Sequence, residues 1–238
     1  ATTVDAQDHR FYLWGASNDL RNYRTDTTLY LLADGDQKIA TGGNCTELNL
    51  KNIELSGSGV KELDDTKVNI SGTIKIASGT SFSTNDAVVF SGDTIDNKGT
   101  FRHYGSSFTF DGDTTHYIFM GADNIFNGII ITDNDTVVVK NNGITLNAGT
   151  FSIGKKSKFL MGGFTHYLAS PKIELADDCE WDTKDATLVF NRNTTQNLPA
   201  ITCENIQFSN AGSKILEGDL HVGNLTIDEG VTFSVGST

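Results

Sequence analysis

The feature that most constrains this chain is its punctuation. Apolar runs of three to five residues, such as Thr73–Ile76, Val88–Phe90, Ile129–Ile131 and Phe151–Ile153, alternate with polar positions or run unbroken. Turn residues cut them about every five to ten positions, at Ser78-Gly79, Asn142-Gly143, Ala148-Gly149, Ala211-Gly212 and Glu229-Gly230. No window of about 12 residues carries the 3.6-residue period of an amphipathic helix with a cap. Many short strands joined by tight turns follow, and helices do not.

Composition agrees. The 238 residues include 29 Thr, 20 Asn and 24 Gly, against 8 Glu and 2 Pro, a mixture that favours pleated strands and Asx or Gly turns. With 18 Lys+Arg against 30 Asp+Glu, the net charge is −12. This excludes nucleic acid as a partner, because phosphates would be repelled. No apolar run approaches the roughly 18 residues of a membrane span. Three cysteines, Cys45, Cys179 and Cys203, cannot close a disulfide framework and form no CxxC pair, so they read as small buried hydrophobes. The N-terminus lacks the basic and apolar regions of a signal peptide. The acidic, Thr- and Asn-rich balance suits an extracellular protein.

Three segments align: 29–39, 108–118 and 188–198. Each is a short apolar strand, an Asx-x-Asx turn, then a Gln or His followed by a spacer and an aliphatic residue. Gln37, His116 and Gln196 stand 79 and 80 residues apart. Further landmarks recur in order, and place Ile76, Leu146 and Ile227, and Phe82, Phe151 and Phe233, inside. The resulting expectation is three units of about 80 residues (29–107, 108–187 and a truncated 188–238), behind a cap or atypical first coil over 1–28. An 80-residue unit holds about four coils of roughly 20 residues better than it holds a sandwich of roughly 100. The fold expected is therefore an all-β parallel β-helix of roughly 10–11 coils, about 50 Å long at ~4.8 Å per coil. Tandem β-sandwiches or a propeller are the alternatives. A solenoid end without a polar cap further implies that the chain continues into more repeats or another domain.

Candidate chemistry is sparse. Asp34 and Asp36, and Asp111 and Asp113, occupy matching turns and could offer oxygens to Ca²⁺. A calcium site needs six or more such ligands, however, and Asx side chains also cap their own turns. No other cofactor is indicated. The aromatic residues Trp14, Tyr104, Tyr117, Tyr167 and Trp181, with His116, could stack on or bind sugar rings. In each His-Tyr pair the two side chains point to opposite faces of a strand. No Gly-x-Ser-x-Gly elbow, P-loop or dinucleotide fingerprint is present.

Residues 188–236, with Gly-Asp-Leu-His-Val-Gly-Asn-Leu-Thr-Ile and Gly-Val-Thr-Phe-Ser-Val-Gly, resemble the β-helical repeats of large bacterial surface proteins. The likeness is to the adhesin-like and autotransporter-like proteins of Bacteroidetes, and it extends over 28–238. It implies a right-handed helix displayed on the cell surface, with glycans or host and matrix proteins as partners and no catalytic residues. The competing expectation is a carbohydrate-active β-helix enzyme, a polysaccharide lyase or glycoside hydrolase, using acids along one sheet.

Overall fold

A computed structural model describes residues 11–13, 17–19, 28–40, 47–64 and 67–236. Among them there is no helix, and every strand pairing is parallel. The strands stack into a β-solenoid of about nine turns, with nine strands on face I, eleven on face II and seven on face III. One coil shows the logic. Thr73–Ile76 lies on face I, Thr80–Thr84 on face II and Val88–Phe90 on face III, and Thr94–Asn97 then returns to face I directly above Thr73–Ile76.

Side-chain alternation drives this stacking. In Thr73–Ile76 the two isoleucines are buried, while Thr73 and Lys75 face out. Parallel register then places like on like. Leu29, Ile53, Ile74, Ile95, Ile118 and Val139 form one inward column on face I. On face III, Leu48, Val68, Val88, Phe108, Ile129, Phe151 and Ile173 form another. Each fully buried side chain of this kind contributes about 1.5–3 kcal/mol. Corners must be narrow enough for coils to stack: a Cβ on Gly92 would lie 1.5 Å from the carbonyl oxygen of Gly72 one coil below.

The coil narrows toward the C-terminus. Ile53, Ile74 and Ile95 are 21 residues apart, whereas Leu188 pairs with Ile206, 18 residues on. Face I ends at Glu180–Asp182 and face III at Ile173–Leu175. Ile201–Phe208 and Leu220–Ile227 then run eight residues each without a break, and a three-stranded fourth sheet closes the coil. Neither strand is interrupted by a turn of the kind that bends earlier coils, such as Asp34-Gly35, Ser78-Gly79 or Asn142-Gly143, so the corner between faces I and II is straightened. The last coil leaves inward-register Leu225, Ile227 and Val235 exposed.

The landmarks of the 80-residue unit land on different faces. Thr28–Leu31 is on face I, Phe108–Phe110 on face III and Thr187–Phe190 on face II. The unit that stacks is the single coil. A spacing of 79 residues spans about three and two-thirds coils, and the match arises because all three corners obey the same strand–turn rule. The inward direction of Phe82, Phe151, Ile76 and Leu146 holds. Of the expected columns, Leu146 and Ile227 share face II, whereas Ile76 belongs to face I. Of residues 1–28, Phe11–Leu13 and Ser17–Asp19 pair beneath Thr28–Leu31 and Gln37–Ala40 as first rungs.

Candidate functional surface

A catalytic or ligand site needs polar groups free to act, so the buried ones come first. They sit at corners, where turn carbonyls point inward and need donors. Gln37 accepts from the Ala33 N–H with its Oε1 at 3.2 Å. One coil above Gln37, Lys61 is fully buried, and its ammonium donates to the carbonyls of Ala33, Gly35 and Ser58 at 2.5, 2.8 and 2.9 Å. Burial pushes the Lys61 pKa down, and the nearby charges of Asp34 and Asp36 push it back up.

The histidines are spent the same way. His116 is fully buried, with Nδ1 2.5 Å from the Gly92 carbonyl and Nε2 3.1 Å from Asp135 Oδ1. His166 accepts from the Ile144 N–H at Nδ1 and meets the Met161 carbonyl at Nε2, which fixes the neutral Nε2–H tautomer. Burial lowers the pKa of both His103 and His166 to about 4. These rings therefore stay neutral ties at pH 7. Burial also raises the Cys203 thiol to about 11 and pushes Cys179 up, so neither is a ready nucleophile.

The outer surface carries the remaining chemistry. Along the corner between faces III and I runs an open trough of about 650 Å³, lined by Asp111, Asp113, Asp133 and Glu174 beside Ile130 and Ser152. No histidine or arginine lines it. Its aspartates are engaged between coils. Asp111 accepts from the Thr132 hydroxyl at 2.9 Å, Asp113 from Asn134 Nδ2 at 3.4 Å and Asp133 from the Lys155 N–H at 2.8 Å. Glu174 lies 3.5 Å from Lys172.

The residues singled out from sequence scatter over the solenoid. Asp34 accepts from the Ser58 hydroxyl and Asp36 from the Val60 N–H, one coil on, so the Asp turns serve as rungs. Among the described residues no cluster of three or more acidic, His or Cys side chains is placed to hold a metal. His116 and Trp181 are turned inward. They share a face I column with Val137 and Phe159, and the Trp181 indole N–H meets Met161 Sδ at 3.0 Å. Tyr104, Tyr117 and Tyr167 are exposed. They do not converge: Tyr117 is on face I, Tyr167 on face II, and Tyr104 at the corner after Thr100–His103. Trp14 lies outside the described residues.

Sequence reasoning missed one grouping. Phe119 stands two positions from Tyr117 on the same outward side of Thr115–Phe119, and Val138 and Leu160 follow Tyr117 on the next two rungs. The signal was the i, i+2 aromatic pair on a strand, which the focus on adjacent His-Tyr pairs obscured. Among the described residues no helix is long and apolar enough to cross a membrane. In comparisons with family models, curated proteins and solved structures, none matches the chain.

Proposed function

We propose that this chain is a non-enzymatic β-solenoid displayed at a bacterial cell surface, where its outer faces make adhesive contacts with glycans or with host and matrix proteins. The observation that carries this reading is the division of labour among polar groups. Inside, the buried side chains of Lys61, His103, His116, His166 and Lys214 are committed to backbone carbonyls, and His116 also to Asp135. Outside, the faces repeat small hydroxyls, amides and alternating charges over many rungs. The face II column reads Lys38, Glu62, Ser83, Arg102, Ile125, Thr145, Tyr167, Val189, Gln207 and Thr226, polar except at Ile125, Tyr167 and the buried Val189. A long, mostly polar surface offers many weak contacts in series, which is the arithmetic of avidity.

The test is to display the protein on beads and probe glycan arrays, immobilised matrix proteins and cultured cells, while assaying a polysaccharide panel for new reducing ends or unsaturated uronates. Adhesion without turnover is expected. Turnover with silent binding assays would overturn the reading. The acids of the face III trough favour one second reading, a carbohydrate-active enzyme. It requires turnover that is abolished by Asp111→Asn or Asp133→Asn.

A further inference from the structure

The geometry points to a binding platform for neutral polysaccharide on face I, centred on Tyr117 and Phe119; it rests on the adhesive reading and names its ligand. On the outward side of this face, Tyr117 is followed in register by Val138 and Leu160, and Phe119 by Lys140. Tyr117 is 41% exposed, and the Lys140 ammonium stands 6.0 Å from the centre of its ring. The four apolar side chains form a plate about 7 Å along the strand and about 10 Å across three rungs.

Polar groups ring that plate. On the rung below, Thr94 pairs with Tyr117 and Asp96 with Phe119. Thr136 and Lys158 flank it along the strands, and Asp182 follows Leu160 above. An apolar centre with hydroxyl, carboxylate and ammonium groups at its edge suits a pyranose ring, whose C–H face packs on an aromatic while its equatorial hydroxyls reach outward.

Size and charge select the occupant. A stable protein interface buries about 800 Å² per partner, many times the area of this plate, which fits one or two sugar rings. The chain carries −12 overall, while at the rim Asp96 and Asp182 are balanced by Lys140 and Lys158, and Asp96 also pairs with Lys98 at 3.5 Å. The rim gives an anion no net attraction and the molecule as a whole repels polyuronates and sulfated glycans, which favours a neutral chain of pyranoses.

Affinity gel electrophoresis tests this with soluble arabinoxylan, glucomannan and mixed-linkage β-glucan as neutral probes, and polygalacturonate and alginate as acidic ones. Retardation is expected in at least one neutral gel and in neither acidic gel. Tyr117→Ala and Phe119→Ala should each weaken retardation about tenfold. Tyr117→Phe, which keeps the ring, and Tyr167→Ala, on another face, should leave it unchanged. Melting curves verify that each variant is folded. The proposal fails if no neutral gel retards the protein, if only the acidic gels do, or if the double variant Tyr117→Ala, Phe119→Ala is retarded like the parent. It also fails if sedimentation shows self-association that Tyr117→Ala abolishes, since the plate would then pack on a second copy. If the double variant is retarded like the parent and still adheres to arrays and cells, the platform falls and the adhesive reading stands. If the unmodified protein binds no gel, array or cell, both fall.

Discussion

Two corners of this solenoid use the same pair of residues and reach different outcomes. In each, a buried Gln is followed one rung later by a buried Lys: Gln37 by Lys61, and Gln196 by Lys214. In each, the Lys donates to the carbonyl four residues before that Gln, from Ala33 or from Arg192. The first corner is complete, with three carbonyls on the Lys61 ammonium and Asp34 and Asp36 nearby. The second is not. Arg192 places a like charge beside Lys214, whose pKa falls to about 8 through burial first and that charge second. Asn191 Oδ1, Arg192 Nε and Gln196 Oε1 are buried there without partners. The same tie is satisfied in an acidic turn and strained in a basic one.

The largest break in this comparison should come from Lys61→Met. It removes the donor shared by the carbonyls of Ala33, Gly35 and Ser58, at a cost of about 3 kcal/mol. Each coil of a solenoid contacts only its neighbours. Hydrogen exchange should therefore show the loss confined to Thr28–Leu31, Gln37–Ala40 and Gly59–Asp64, with the C-terminal coils unchanged. Protection retained in these strands would mean that the carbonyls do not depend on the ammonium.

Lys214 should behave in the opposite sense. Its folded pKa of about 8 lies below its ordinary value of 10.5, so between these values the unfolded chain holds a proton that the folded chain has lost. Stability of the C-terminal coils therefore rises with pH from about 8 to 10.5, by at most about 3 kcal/mol. Below pH 8 the full penalty of a buried cation is present. Lys214→Met should remove this slope and leave stability at pH 7 equal or higher. Denaturant melts of both proteins across pH 7 to 10.5 check it, because the rest of the chain cancels in the difference.

What the sequence disclosed follows from which physical rule wrote it. Alternation and turn residues were legible, so the parallel solenoid and its inward Phe and Ile residues could be read directly. The aligned Gln37 and Gln196 marked real corner ties, and the alignment even sets Ala33 opposite Arg192, the two carbonyls that receive the lysines. The landmarks of the 80-residue alignment fall on three different faces, because equivalent corners look alike in one dimension. Lys61 and Lys214 stayed hidden because lysine reads as surface, although Gly59-Val60-Lys61-Glu62-Leu63 and Gly212-Ser213-Lys214-Ile215-Leu216 place each at an inward position of its strand. The Tyr117 and Phe119 plate was half visible. Its remaining members come from later rungs, 21 and 43 positions after Tyr117, a register that only the fold supplies.

The comparison can be sharpened by exchanging the turns. Asn193 occupies the position of Asp34, three residues before the buried Gln, so Asn193→Asp gives the second corner an acid like that of the first. The Lys214 pKa should rise toward its ordinary value. The alkaline slope should shrink and move up in pH, and stability at pH 7 should gain about 1 kcal/mol, since the new acid is exposed and screened. An unchanged slope would show that burial alone, and not the missing acid, sets the Lys214 pKa.

The smallest expected effect removes charge from the complete corner and keeps its hydrogen bond. Asp36 Oδ1 accepts from the Val60 N–H at 2.8 Å, and the amide oxygen of Asn can do the same. Asp36→Asn therefore isolates the Coulombic support that Asp36 gives Lys61. Because Asp36 is exposed, that support is screened, and the expected loss is about 0.5 kcal/mol, diminishing as salt is added. Denaturant melts at low and high ionic strength measure it. A loss as large as that of Lys61→Met would mean that the acids hold the ammonium in place. The carbonyls would then be secondary, and the two corners would differ in charge alone.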